Sequence, residues 1–416
     1  TASCSNELDD TLQPVNNGNL QFVVSDFPMF GEGTLTRAIG TQDEGKTAWE
    51  NGDQIIVTLI SQKYGEQAAA LTYDGSSWST EASLSYLENE TPSVSVFYAP
   101  CYEVTEEGTM QLRSGMQLGM TEYLSGNYEI ENGIMTITFE GAIRTYSRLR
   151  IATMPEATLT VTTTDFTPAG ATEVATAAYT LTTDNNGNAF LYGVFAEDAT
   201  VSVKQGDITL KDYTFTAEKN PNGTEHNKSY ALDATPVIDG TLGGKTEATE
   251  DDITALVEQL KEYVDNGITT IIVPGSEPAM IDVGSLTITA IGEAIYRLSK
   301  EESYNGKIDL VLPDVTEIVD QEFYGARALN SINLPKVTTV GDGAFYDCQY
   351  LEELTFGSVV TAINHKLRAE FYKVGEKVEG CDLVLNREQV NAEADYQPNI
   401  ETRTWWNTEW KSITLK

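Results

Sequence analysis

Only two histidines, His226 and His365, stand in the 416 residues, far apart and in different predicted domains. Acyl-transfer or thiol chemistry would need one of them beside a nucleophile, with a third group to orient it. Neither lies in such a motif, and each reads as a surface histidine. The 63 Asp and Glu residues could supply a general acid and base for glycoside hydrolysis, but in that number chance pairs carry no information. Asp184-Asn185-Asn186-Gly187-Asn188 opens like a calcium-binding loop. It lacks glycine at the sixth position and glutamate at the twelfth, so a hairpin turn accounts for it better. No pair of CxxC motifs offers a structural zinc site, and no Gly-rich loop offers a phosphate cradle. The expectation is a chain that binds rather than catalyses, not an enzyme, with no cofactor and no metal.

Charge narrows what it binds. With 26 basic and 63 acidic residues the formal net charge is −37, which opposes contact with phosphate backbones and excludes nucleic acid. The same balance argues against docking on an anionic membrane through a basic patch. No apolar run is long enough to span a bilayer. Such a surface is self-repelling and suits an extracellular setting.

The elements that must position a binding surface are clearest near the C-terminus. Leu310, Ile332 and Leu354 are 22 residues apart, and so are Leu312, Leu334 and Phe356, and Val315, Val337 and Val359. Pro313 recurs as Pro335, Ile318 as Val340, Phe323 as Phe345 and Leu329 as Leu351. A fixed period of about 20–29 residues with apolar positions at constant offsets predicts a solenoid of leucine-rich type. Each turn contributes a short strand whose apolar side chains are buried only by stacking on its neighbours. Upstream, Ile253, Leu256, Val257, Leu260 and Val264 form one helical stripe, with Thr249 as its cap and Glu250, Asp251 and Asp252 at its positive end. That helix and a degenerate strand at 269–274 are predicted to cap the stack. After Ile363 the period breaks, with further strands expected at 381–385 and 413–415. Trp405, Trp406 and Trp410 either cover the apolar end or form an aromatic platform for sugar rings. Cys348 reads as a small buried hydrophobe, and a Cys348–Cys381 bridge is possible but not deducible from spacing.

The first half alternates in short, Thr-rich strands, as a half-buried sheet does. Strand candidates include 20–24, 54–59, 94–98, 134–139 and 147–151. A second series runs from 157 to 232 with turns at regular spacing, which suggests a β-sandwich. Pro236 to Lys245, with Gly240, Gly243 and Gly244, reads as the domain boundary.

Two families share these patterns. Leu329-Asn330-Ser331-Ile332-Asn333-Leu334-Pro335, followed by Val337-Thr338-Thr339-Val340-Gly341-Asp342-Gly343-Ala344-Phe345, Cys348 and Leu351, resembles the BspA-type bacterial leucine-rich repeat. That resemblance implies a bacterial surface protein engaged in adhesion to host or bacterial partners. Thr36-Arg37-Ala38, Trp49-x-x-Gly52-Asp53-x-Ile55, Tyr73 to Trp78 and Ser147-Arg148-Leu149-Arg150-Ile151 resemble, in that order, the fimbrillin-like (Mfa-like) surface lipoproteins of Bacteroidetes. This second likeness covers roughly the first 235 residues and implies two transthyretin-like β-domains in tandem.

The fold class expected is therefore mainly β: two tandem transthyretin-like β-sandwich domains followed by a short capped leucine-rich repeat solenoid (α/β). The expected divisions are a tether at 1–19, sandwiches at 20–152 and 153–235, a linker at 236–248 and the repeat domain at 249–416. Thr1-Ala2-Ser3-Cys4 resembles a lipobox, with Thr1 in place of the usual leucine, and implies lipidation of Cys4. The protein would then sit at the cell surface, held to the outer membrane by that lipid alone. In related pilins an arginine in an exposed loop is cut by a surface protease, which makes Arg37 the candidate processing site. Leu20 to Val24 would be the strand released, letting a fimbrial subunit donate another; an ordinary surface arginine is the alternative. Asp10-Thr11-Leu12 fits a short O-glycosylation pattern of such bacteria. The candidate ligand face, for a host or bacterial surface protein or glycan, is Asn333 and Thr355 with Tyr324 and Tyr346.

Overall fold

The computed structural model describes residues 20–28, 45–87, 90–139, 144–364 and 370–416. Cys4, Arg37, His365 and the Asp10-Thr11-Leu12 segment lie outside the described residues. The chain is mainly β with several sheets. It divides into two compact units, one running to Ala234 without Gln205–Ile208, the other made of Gln205–Ile208 and Thr235–Lys416.

Among the described residues the first unit holds two seven-stranded sheets and one small two-stranded sheet. In the first sheet the order is Gln21–Val24, Ile134–Thr138, Leu124–Glu131, Ser93–Tyr98, Gln54–Ser61, Gly65–Tyr73 and Trp78–Ser79. Gln54–Ser61 follows the Asn51-Gly52 turn, where Gly52 holds the positive φ of 93° that a side chain would resist. Its β-branched residues Ile55 and Val57 are fully buried with Leu59, Leu71 and Val96. Trp49 closes one end of this core, edge-on to Phe27, Trp78 and Tyr98 at 4.9–5.1 Å. Deeper in, Glu122 takes a bidentate pair from Arg144 at 2.9 Å, so two buried charges satisfy each other.

The second sheet corrects one expectation. Ser147–Ala152, predicted to close the first sandwich, pairs instead with Asn188–Phe195 (antiparallel) and Ser229–Asp233 (parallel). Alternation along a strand reveals which side chains face inward, not which neighbour it will pair with. Arg148 lies against Phe190, 4.4 Å from the ring centroid, a cation–π contact in a strand whose two arginines are both buried.

In the second unit the helix Glu250–Asp265 begins at a reciprocal cap: the Thr249 side chain accepts from the Asp252 N–H, and the Asp252 carboxylate accepts from the Thr249 N–H. Ile253, Leu256 and Leu260 form its buried stripe. A second helix, Ala290–Leu298, follows a hairpin of Met280–Val283 and Leu286–Thr289, and neither was expected. Its stripe of Ile291, Ala294, Ile295 and Leu298 has the same helical spacing as the first, over only nine residues. The stretch 236–248 is not a free linker either. Ile238 is buried, its N–H donates to the carbonyl of Ile272, and a Cβ on Gly240 would lie 2.5 Å from Val273 Cγ1. The glycine there permits close approach rather than freedom.

The repeat stacks as a parallel sheet in the order Thr270–Ile272, Ile308–Val311, Leu329–Leu334, Glu353–Phe356, Asp382–Leu385 and Ser412–Leu415. Ile271, Leu310, Ile332, Leu354, Leu383 and Ile413 are register partners across it. The step is 22 residues between the central three, then 29 (383 − 354) and 30 (413 − 383). A parallel three-stranded ladder, Glu317–Ile318, Thr339–Val340 and Ala362–Ile363, runs beside it on another segment of each repeat. Leu310, Ile332, Leu334, Leu354 and Phe356 are all buried, each worth about 1.5–3 kcal/mol of transfer free energy.

Candidate binding face

Alternation along the parallel strands turns every second residue outward. Asp309, Ser331, Glu353, Asp382 and Ser412 pair across one outward row; Val311, Asn333, Thr355, Val384 and Thr414 pair across the next, in which Val384 is buried. The structure therefore makes Asn333 and Thr355 direct neighbours. Hydroxyls hold the carboxylates of the first row in place: Ser331 Oγ donates to Asp309 Oδ1 at 2.6 Å, and Ser412 Oγ donates to Asp382 Oδ1 at 2.6 Å. Thr355 Oγ1 donates to Glu353 Oε1 at 3.1 Å. Near the edge, Lys336 at 2.8 Å and the Gly275 N–H hold the Asp314 carboxyl below its usual range. Apart from Val311 and Val384, these rows carry carboxylates, hydroxyls and the Asn333 amide, groups suited to hydrogen bonding.

Tyr324 and Tyr346 occupy a different segment, the turn that precedes each long strand. Their rings stack at 5.2 Å and 12°. Tyr372, which the sequence reading missed, continues the column at 5.0 Å from Tyr346 and is 49% exposed. Directly inside it runs a buried column, Phe323, Phe345 and Phe371, at 5.8 and 5.9 Å. Backbone bonds tie these turns together, Phe323 N–H to Ala344 O and Gly325 N–H to Tyr346 O among them. A signal for the third rung existed: the dipeptides Phe323-Tyr324 and Phe345-Tyr346 recur as Phe371-Tyr372, displaced by 26 residues rather than 22. The four residues expected on one face thus fall into two pairs, on two segments of the repeat.

The tryptophans are placed very unequally. Trp405 is 1% exposed, packs on Phe356 and Phe371 at 5.7 Å, and donates its Nε1–H to the carbonyl of Tyr396 at 2.9 Å. Trp410 is 2% exposed, with its ring 5.2 Å from Phe371. Burial leaves neither with a face for a sugar ring, so of the three tryptophans of the platform alternative only Trp406 remains. Trp406 is half-buried, stacks flat on Tyr396 at 5.2 Å and donates to Glu370 Oε2 at 3.1 Å.

Cys101, Cys348 and Cys381 are buried free thiols. Burial pushes the thiols of Cys348 and Cys381 well up, which suppresses the reactive thiolate. Cys348 Sγ donates instead to the carbonyl of Phe323 at 3.0 Å. His226 is exposed. Among the described residues no three His, Cys, Asp or Glu side chains gather as a metal-ion site, and no helix is long and apolar enough to cross a membrane.

Residues 306–374 match the family model of the BspA type leucine-rich repeat region (6 copies). The matched residues contain both aligned rungs of 22 and the Tyr324–Tyr346–Tyr372 column. No curated protein matches the chain. Among solved structures, it is similar to one from Bacteroides fragilis NCTC 9343 named a "putative cell adhesion protein", at 12% identity, over 52% of this chain and 92% of that one, with a TM-score of 0.28. A score that low carries no argument about fold or role.

Proposed function

We propose that this chain is a cell-surface adhesin whose BspA-type repeats form a leucine-rich solenoid that binds a host or bacterial macromolecule, protein or glycan. The observation that carries the reading is the match of residues 306–374 on the very segment whose strands stack in register. The polar side chains among these rows, Asn333 and Thr355 with the hydroxyl-held carboxylates, project from hydrogen-bonded strands and suit recognition of an extended surface, since groups already held in place lose little entropy on contact. In this reading two transthyretin-like sandwiches hold the repeats away from the cell, and a lipid on Cys4 anchors the chain to the outer membrane. Catalysis, cofactors and nucleic acid play no part.

The test is a screen of the full chain against arrayed glycans and matrix proteins, repeated with Asn333→Lys/Thr355→Lys. Loss of the bound partner at unchanged thermal stability is the expected result. Retention of every partner by the double variant would take the ligand off this sheet.

A second reading, a fimbrial subunit or tip joined by strand exchange, draws on one feature. Among the described residues Gln21–Val24 is an edge strand, held to its sheet by pairing with Ile134–Ile137 alone, with Val23 53% exposed. Digestion with an arginine-specific protease separates the two readings. Loss of the N-terminal segment followed by oligomers supports exchange, whereas a trimmed but monomeric product removes it. A third reading, glycan capture by a surface lipoprotein, now depends on Trp406: polysaccharide retention that survives Trp406→Ala excludes it.

A further inference from the structure

One cleft enters the core of the first unit, and none of the residues named above for adhesion or strand exchange lines it. Its volume is about 170 Å³, and Leu149, Val201, Phe215, Tyr230 and Leu232 form its buried walls. Among the described residues of its lining only Lys219 is exposed, with Asn220 and Tyr213 half-buried. The rim is ordered: the N–H groups of Lys219 and Asn220 both donate to the carbonyl of Thr216, at 3.0 and 2.7 Å, and Tyr213 Oη donates to Asn220 Oδ1 at 3.3 Å.

Two physical points identify what fits. A space of this size accommodates a molecule as large as benzene, and covering the apolar walls favours one ring or a short branched chain. The second point is charge. Acids outnumber bases 63 to 26, and Lys228 and Lys245 are both tied to carboxylates. Lys219 has no such partner among the described ion pairs. A lysine lining an otherwise apolar cleft favours an anionic head, and at physiological ionic strength the chain's negative charge is screened beyond about 8 Å.

We propose that this cleft binds a small carboxylic acid with an aromatic or branched apolar body, the body between Phe215 and Leu232 and the carboxylate on Lys219 Nζ. Benzoate, isovalerate and neutral benzyl alcohol are titrated against the full chain by ligand-observed NMR. Benzoate and isovalerate are expected to bind with dissociation constants on the order of 1 mM. Lys219→Gln, an exposed change that spares the core, weakens both acids about tenfold and leaves benzyl alcohol within about twofold. Val201→Phe fills the cleft and abolishes all three. Acids that bind Lys219→Gln as tightly as the parent chain overturn the proposal, as does an absence of any acid binding at about 20 mM. The charge comparison stands even where Val201→Phe fails to fold.

Discussion

Glu322 is a buried carboxyl. Thr289 Oγ1 donates to its Oε1 at 2.7 Å and the Val319 N–H to its Oε2 at 3.0 Å. Burial outweighs both bonds and pushes its pKa up from 4.5 to about 7, with Glu317 adding to the rise. Between those values the folded chain holds a proton that the unfolded chain has lost, so stability falls as pH climbs from about 4.5 through 7. The contribution lost is roughly 2–4 kcal/mol. Glu322→Gln, followed by urea unfolding at pH 5 and pH 8, is expected to flatten that slope; an unchanged slope would place the titration elsewhere. Gln389 makes a matching point without charge. Its buried amide accepts from the Val360 N–H at 2.8 Å and donates to the Val360 and Tyr396 carbonyls at 3.0 Å, standing in for a missing rung of backbone. Gln389→Ala leaves those groups without partners and is expected to cost about 2–4 kcal/mol in denaturant unfolding. Neither role was legible in the sequence, because a polar residue off the repeat period looks the same whether it faces water or a neighbouring carbonyl.

At the scale of elements, stacking explains both what was predictable and what was not. The 22-residue step was readable because identical offsets put like side chains on like sites, as Phe323 and Phe345 show at 5.8 Å and 18°. The wider steps to Leu383 and Ile413 keep the sheet and lengthen the connections, which loop entropy tolerates. Phe345 touches both neighbours of its column, so Phe345→Ala removes two ring contacts at once and is expected to cost about 3–5 kcal/mol. Tyr346→Ala, on the exposed column, should cost clearly less by the same chemical denaturation. Equal losses would mean that the outer column carries the stack.

For the whole molecule, the division near Ala234 matters most. Two units with separate cores should unfold in two calorimetric transitions, of which Phe345→Ala lowers only the one belonging to the repeat unit. One transition shifted as a whole would show instead that the units melt cooperatively. The net charge of −37 acts on both through self-repulsion, which added salt weakens.

Sequence alone determined the repeat period, the capped helix from Glu250 and the alternating strands. Those depend on spacing within a segment, and spacing is local. Tertiary structure decided that Ser147–Ala152 belongs to the second sheet, that Trp405 and Trp410 are buried, and that Asn333 and Tyr346 lie on different segments. It also decided that Lys219 lines an otherwise apolar cleft. Each of those depends on which surfaces meet, and strand pairing and burial join residues that no periodicity within a segment relates.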